Sequence, residues 1–184
     1  MAPPSMIVLA DARLFCHAGE PRDAASDPAV RTLISHGVPL ILASAGHPEE
    51  VRAAQASLGV HAPFISSGGA ELHVPGGYFE EMLRRPPRSR DWNVIEFAHV
   101  RNAPDFSKSI QLLLLLYWNR REDGLVVGVS DRDEPILTHA DVAILVRNPA
   151  LDQQRLRAAV PHAYYTSAAG IAGWAEGILG PVGR

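Results

Sequence analysis

Met6-Ile7-Val8-Leu9-Ala10-Asp11 is an unbroken apolar run that ends on a carboxylate. Apolar residues that do not alternate with polar ones read as a strand buried on both faces, as in a parallel sheet. In open α/β sheets ligands bind just beyond the carboxyl ends of such strands, which is where Asp11 stands. Outward from this run the pattern alternates. Asp27-Pro28 predicts a helix start, with a capping carboxylate and proline at the first helical position, and Gly37 marks its stop. Val38 to Ala43 predicts a second buried strand. Pro48-Glu49-Glu50 opens a second helix that closes at Gly59, and Pro63 to Ser66 gives a third strand. This β-α-β-α-β rhythm predicts an α/β fold built on a doubly wound parallel sheet.

The rhythm then breaks. Ser67-Gly68-Gly69 reads as a turn, and Glu71 to Val74, Pro75-Gly76-Gly77 and Tyr78-Phe79 as a short β-hairpin. Residues 83–105 carry the basic cluster Arg84 to Arg90 and little periodicity, apart from a short strand or helix within Trp92 to Val100. Alternation resumes with a helix from Phe106 to Asn119 and a strand from Leu125 to Val129. A short helix follows Asp131, then a strand from Val142 to Val146, a helix near Asp152 to Ala159, a strand at Ala163 to Tyr165 and a helix around Trp174. Leu112 to Leu116 is apolar on nearly every side of its helix, so burial on more than one side is expected, under the sheet and its helices or under a second subunit.

At 184 residues the chain reads as a single domain, 1–184, with 80–105 as a short insert. A net charge of -3 gives no general attraction to polyanions, so nucleic acid is not an expected partner. The basic cluster lacks interleaved aromatic residues and reads as a solvated loop. A lone cysteine, Cys16, excludes an internal disulfide and suits the reducing cytoplasm. The longest apolar run, Leu112 to Trp118, falls well short of the roughly 20 residues of a bilayer span, and the N-terminus has no secretory pattern, so no membrane association is expected. The histidines show no paired zinc-type spacing; His47 alone lies near Ser44, where a turn role is expected.

Four features fall at strand ends or a helix start: Asp11, Ser44, Lys108, and Ser130 to Asp133. Taken singly, each is an ordinary cap, turn or surface residue. In this order a carboxylate, a hydroxyl, a cation and a second carboxylate make a phosphate and magnesium site. The stretches Pro39-Leu40-Ile41-Leu42-Ala43-Ser44, Pro63-Phe64-Ile65-Ser66-Ser67-Gly68-Gly69-Ala70-Glu71-Leu72-His73-Val74 and Gly173-Trp174-Ala175-Glu176 extend the pattern. With them, the sequence resembles the haloacid dehalogenase superfamily, and within it the mannosyl-3-phosphoglycerate phosphatases. The resemblance implies a Rossmann-like core that hydrolyses phosphate monoesters through an aspartyl phosphate with Mg2+. It makes Asp11 and Lys108 catalytic, Ser44 and the Gly68-Gly69 loop substrate-binding, and Asp11 and Asp133 metal ligands, with a small phosphorylated molecule as partner.

The departures from that pattern change the expected chemistry. The family's Asp-x-Asp is reduced here to Leu9-Ala10-Asp11-Ala12-Arg13. Either Asp11 is the nucleophile and Arg13 stands in the acid-base position, or Asp11 is the second aspartate and Leu9 stands in the first. The family's Gly-Asp-Ser-x-Asn-Asp is Gly128-Val129-Ser130-Asp131-Arg132-Asp133, so a hydrocarbon replaces one metal ligand and a cation replaces the asparagine. Two guanidinium groups, Arg13 and Arg132, would supply positive charge to a phosphate without a metal, which favours binding over hydrolysis. The family's cap domain shrinks to the insert at 80–105, a vestigial cap too short to bury its own core, so the site is expected to be open or covered by another copy of the chain.

Overall fold

A computed structural model describes residues 6–17, 20–21, 27–79, 91–97, 105–117 and 125–182. The strands are β1 (Met6–Asp11), β2 (Cys16–His17), β3 (Glu20–Pro21), β4 (Leu40–Ala43), β5 (Phe64–Ser66), β6 (Glu71–Val74), β7 (Asn93–Glu96), β8 (Leu125–Ser130), β9 (Val142–Arg147) and β10 (Tyr164–Ala169). The helices are α1 (Pro28–Ser35), α2 (Pro48–Leu58), α3 (Ser107–Tyr117), α4 (Glu134–Thr138), α5 (Gln154–Ala159) and α6 (Gly170–Gly177). Eight strands form one sheet in the order β10-β9-β8-β1-β4-β5-β6-β7, with β1 in its interior. The six from β10 to β5 run parallel; β6 and β7 are antiparallel additions at one edge. This is the doubly wound α/β architecture that the apolar runs predict. β2 and β3 pair separately as a small hairpin.

Both faces of the sheet are covered, which is why the central strands are apolar without alternation. Val8 and Ala10 of β1 pack in one layer with Val30 of α1, Val51 and Ala54 of α2, and Trp174 of α6. Ile7 and Leu9 pack in the opposite layer with Ile110 and Leu113 of α3. On that side Leu137, Leu145 and Leu156 form a smaller cluster between α4, β9 and α5.

Two sequence expectations change. Tyr78 and Phe79 do not pair with β6; they begin a helical turn, and β7 takes the place beside β6. The cause is tertiary: the Tyr78 hydroxyl lies 2.9 Å from that of Tyr117, and the Phe79 ring centroid is 5.1 Å from that of Tyr117, so both rings pack against α3. The over-apolar helix buries one face through Ile110, Leu113, Leu114 and Tyr117, half-buries Leu112 and Leu116, and leaves Leu115 exposed in the single chain. β10 is longer than expected and runs straight into α6, where a Cβ on Gly173 would meet the Ala168 carbonyl oxygen at 2.4 Å. Most of the insert, including Arg84 to Arg90, lies outside the described residues. Among the described residues no helix is long and apolar enough to cross a membrane.

One carboxylate ties the N-terminal half to the C-terminal helix. Asp27 Oδ1 accepts from the N–H groups of Ala29 and Val30 at 2.9 and 3.1 Å, capping α1, and from the indole Nε1 of fully buried Trp174 at 3.2 Å. Asp27→Ala removes the cap and leaves a buried indole N–H without an acceptor. It is expected to lower the unfolding free energy by about 2 kcal/mol in urea titrations, while Asp27→Asn, which keeps an acceptor oxygen, loses less.

Candidate functional site

The register of the sheet gathers the site. Asp11 pairs with Ala43, which places Ser44 beside it, and Ala10 pairs with Val129, which brings Ser130 level with Asp11. The ends of β1, β4 and β8 therefore meet. Leu9 is buried against the α3 layer, so Asp11 is the acidic group that ends the strand, and Arg13 stands two residues beyond it.

Asp11 is completely buried, and its carboxylate is fully engaged by Arg13. Asp11 caps the single 3-10 turn Ala12–Phe15, accepting from the Arg13 N–H at 2.9 Å. That turn folds the Arg13 side chain back over the strand end. Arg13 Nε donates to Asp11 Oδ1 and Oδ2 at 2.9 and 3.0 Å, and Nη2 donates to Oδ2 at 2.7 Å. The same Nη2 donates to Asp133 Oδ2 at 2.5 Å. One guanidinium thus spans two carboxylates from opposite halves of the chain. Asp133 is presented by Ser130, whose Oγ accepts from the N–H groups of Arg132 and Asp133 at 3.1 and 2.6 Å.

The electrostatics follow from three carboxyl groups crowding this point. Burial and the charge of Asp11 push the Asp133 carboxyl up to about 6, against the pull of Arg13 and Arg132. Burial and Asp11 likewise raise Asp131. Burial works against the Arg13 charge, but its hydrogen bonds to Asp11 and the charges of Asp11, Asp133 and Asp131 more than offset this, so Arg13 stays charged.

Magnesium asks for about six oxygen ligands in an octahedron. At two positions where the resemblance expects oxygen donors stand Val129, buried in the core, and Arg132, an exposed cation, and a guanidinium stands between the Asp11 and Asp133 carboxylates. Among the described residues no group of three or more His, Cys, Asp or Glu is arranged to hold a metal ion. This donor set suits a guanidinium and does not fit Mg2+.

The other expected site residues lie on the far side of Asp11. Ser44 is buried, and its Oγ donates to Glu50 Oε2 at 2.7 Å while accepting from Gly46 N at 3.0 Å. A carboxylate beside that hydroxyl repels an incoming phosphate. Gly68 and Gly69 have φ of +64 and +94, and a Cβ on Gly69 would meet the Asp105 carbonyl oxygen at 2.2 Å. The loop is a docking point for α3: Asp105 N donates to the Gly68 carbonyl at 2.8 Å, and Ser109 Oγ donates to that of Gly69 at 2.5 Å. Lys108, in the first turn of α3, is exposed and lies near Asp105, whose carboxyl is lowered mainly by its bonds from Ser107 and slightly by the Lys108 charge. Lys108 makes no hydrogen bond or ion pair to Asp11, Ser44 or Asp133 among the described residues.

A cleft of about 250 Å³ opens on the other side, lined by Arg13, Asp131, Arg132, Arg147, Asn148 and Gly170 among others. Arg147, Asn148 and the Glu50 partner of Ser44 were not singled out in the sequence. The signal for the first two was present, because Arg147 ends a parallel strand just as Asp11 does. The junction that forms one wall is fixed by Glu176, which accepts from the N–H groups of Ser167 and Ala168 at 2.9 Å each and from Ser167 Oγ and Tyr164 Oη at 2.9 and 3.0 Å.

No protein-family model matches the sequence, and no curated protein matches it. Among solved structures, a protein of Thermoplasma acidophilum superposes with a TM-score of 0.56 at 14% identity, over 94% of this chain and 95% of that one. The cobalt-bound deoxy-D-mannose-octulosonate 8-phosphate phosphatase of Haemophilus influenzae superposes with a TM-score of 0.47 at 13% identity, over 96% of this chain and 88% of that one. The first likeness establishes the fold and says nothing of activity.

Arg13→Ala leaves two buried carboxylates facing one another. It is expected to destabilise the protein by about 3 kcal/mol in chemical unfolding, with much of the loss recovered when Asp133→Asn is added. The Glu176 carboxyl is held down to about 2, chiefly by the Ala168 and Ser167 N–H groups. Its stabilisation is therefore complete above the ordinary glutamate value of about 4.3 and is lost as pH falls toward 2. Glu176→Gln is expected to flatten the fall in unfolding free energy between pH 5 and pH 2.

Proposed function

We propose that this chain is a haloacid dehalogenase-like domain, akin to the mannosyl-3-phosphoglycerate phosphatases, that binds a small phosphorylated ligand without hydrolysing it. The reading rests on one observation: the Arg13 guanidinium is hydrogen-bonded to both Asp11 and Asp133. An aspartyl phosphate forms only if a carboxylate oxygen reaches phosphorus, and that approach needs positive charge to offset the repulsion between two anions. Here each Asp11 oxygen accepts two hydrogen bonds from Arg13, so neither is free to attack. The position two residues on, which must give and take a proton in the hydrolytic scheme, carries a guanidinium that stays protonated at any accessible pH.

The exposed cations Arg132 and Arg147 serve binding well, because their charge is present before the ligand arrives and asks nothing of a metal supply. The sequence likeness to phosphatase motifs at Pro39 to Ser44 and Pro63 to Val74 supports the ancestry, and the doubly wound fold agrees with it.

A panel of phosphate monoesters, assayed for phosphate release with and without Mg2+, tests the reading. The expected result is no release from the wild type above the level of Asp11→Asn. Magnesium-dependent release that Asp11→Asn abolishes would establish an active phosphatase instead.

A further inference from the structure

We propose that the ligand seat of this chain is the cleft on the β8–β9–β10 side of Arg13, and that it takes a small hydroxylated oxyanion. The head group lies against Arg132 and Arg147, and a ligand hydroxyl donates to Asp131 Oδ1. This rests on the reading that the domain binds its ligand without hydrolysing it, and it moves the seat away from Ser44 and Lys108.

The position is where a doubly wound sheet gathers ligands, beyond the carboxyl ends of parallel strands. Its walls are cross-tied. Gln153 Nε2 donates to the carbonyl oxygens of Asp131 and Val146, both at 2.8 Å, and Asn148 Nδ2 donates to Asp131 Oδ2 at 2.9 Å, so the loops after β8 and β9 are held as one unit. Ala169 and Gly170 at the start of α6 complete the rim, and Ala169 offers that helix no side-chain cap.

The charged groups divide by role. Arg13 faces Asp11 and Asp133 at the back and is committed to them. Arg132 is exposed, and its Nε lies 3.8 Å from Asp131 Oδ1, too far for a hydrogen bond. Arg147 is exposed, and its side chain gives one hydrogen bond, from Nη1 to the Ser167 carbonyl at 3.1 Å; its other guanidinium donors make none among the described residues. With three arginines and three aspartates the cluster is neutral as a whole. Its uncommitted donors therefore sit at the mouth, where a planar guanidinium fork suits a phosphate or carboxylate.

The second feature is an acceptor. Asp131 Oδ1 is buried with no hydrogen-bond donor, while Oδ2 is taken by Asn148. A bare anion cannot satisfy that oxygen, but an anion that carries a hydroxyl can. The volume of about 250 Å³ lies just below the usual small-molecule range of about 300–1,000 Å³, which suits a small ligand. The Ser44 side offers the opposite chemistry, a hydroxyl already given to the Glu50 carboxylate.

Calorimetric titration of the full chain with glycerol 3-phosphate, propyl phosphate and glycerate tests the seat, with Arg147→Gln, Arg132→Gln and Lys108→Ala beside the wild type. The expected result is that glycerol 3-phosphate binds several-fold more tightly than propyl phosphate. Its affinity should fall at least tenfold in Arg147→Gln and in Arg132→Gln, and hold in Lys108→Ala. Loss in Lys108→Ala with retention in Arg147→Gln would overturn the seat and leave binding without hydrolysis standing. No binding of any probe at 10 mM, roughly the weakest affinity still readable by titration, would overturn the seat as well. Preference for glycerate over glycerol 3-phosphate keeps the seat and overturns the phosphorylated ligand. Phosphate released from glycerol 3-phosphate in the same cells, and lost in Asp11→Asn, would overturn the non-hydrolysing reading itself.

Discussion

A guanidinium held between two buried carboxylates is the constraint on which the rest of this site depends. Asp11 ends a strand with neighbours on both sides and helices on both faces, so water cannot solvate its charge. An unpaired carboxylate in that position would be strongly unfavourable, and Asp133, brought to the same point by the loop after β8, would make it worse. Arg13 answers both demands with one planar group, because its fork donates to two acceptors at once where a lysine presents a compact point charge. The single 3-10 turn after β1 makes this possible by folding the residue two positions on back over the strand end.

The carboxyl edge of the sheet is in consequence divided. On the β4–β5 side the groups that resemble a phosphate site are turned to structural work. Ser44 is bonded to Glu50, and the Gly68-Gly69 loop receives the N-terminus of α3 through Ser109 and Asp105. On the β8–β10 side the loops are braced by Gln153, Asn148 and Glu176, while the rim cations keep spare donors, Arg132 beside Asp131 at 3.8 Å and Arg147 with one side-chain hydrogen bond. Rigid walls and spare donors are what a binding site needs, and among the described residues the two occur together on the β8–β10 side.

The parts of the fold legible in the sequence are those set by local pattern. Met6 to Ala10 and Val142 to Val146 had to be buried strands because nothing in them is polar enough to face water, and Asp27-Pro28 carries its own capping chemistry. What the sequence hid depends on partners distant along the chain. Tyr78 and Phe79 read as a hairpin strand until Tyr117 draws them onto α3. At the site, Asp11, Ser44 and Asp133 were legible from their places after strands. The bond from Arg13 to Asp133 joins residues 120 apart, and the Glu50 carboxylate beside Ser44 sits in a helix that reads as an ordinary dipole-compensating turn. Neither contact leaves a periodic trace. Arg147 was within reach of the rule that singled out Asp11, since it too ends a parallel strand.

The central claim is that Arg13 commits the carboxylates of Asp11 and Asp133, so that they do not hold a divalent cation. Calorimetric titration of the wild-type chain with Mg2+ at neutral pH tests it most directly. The account predicts no saturable heat at millimolar Mg2+. One-site binding that disappears in Asp133→Asn would contradict it.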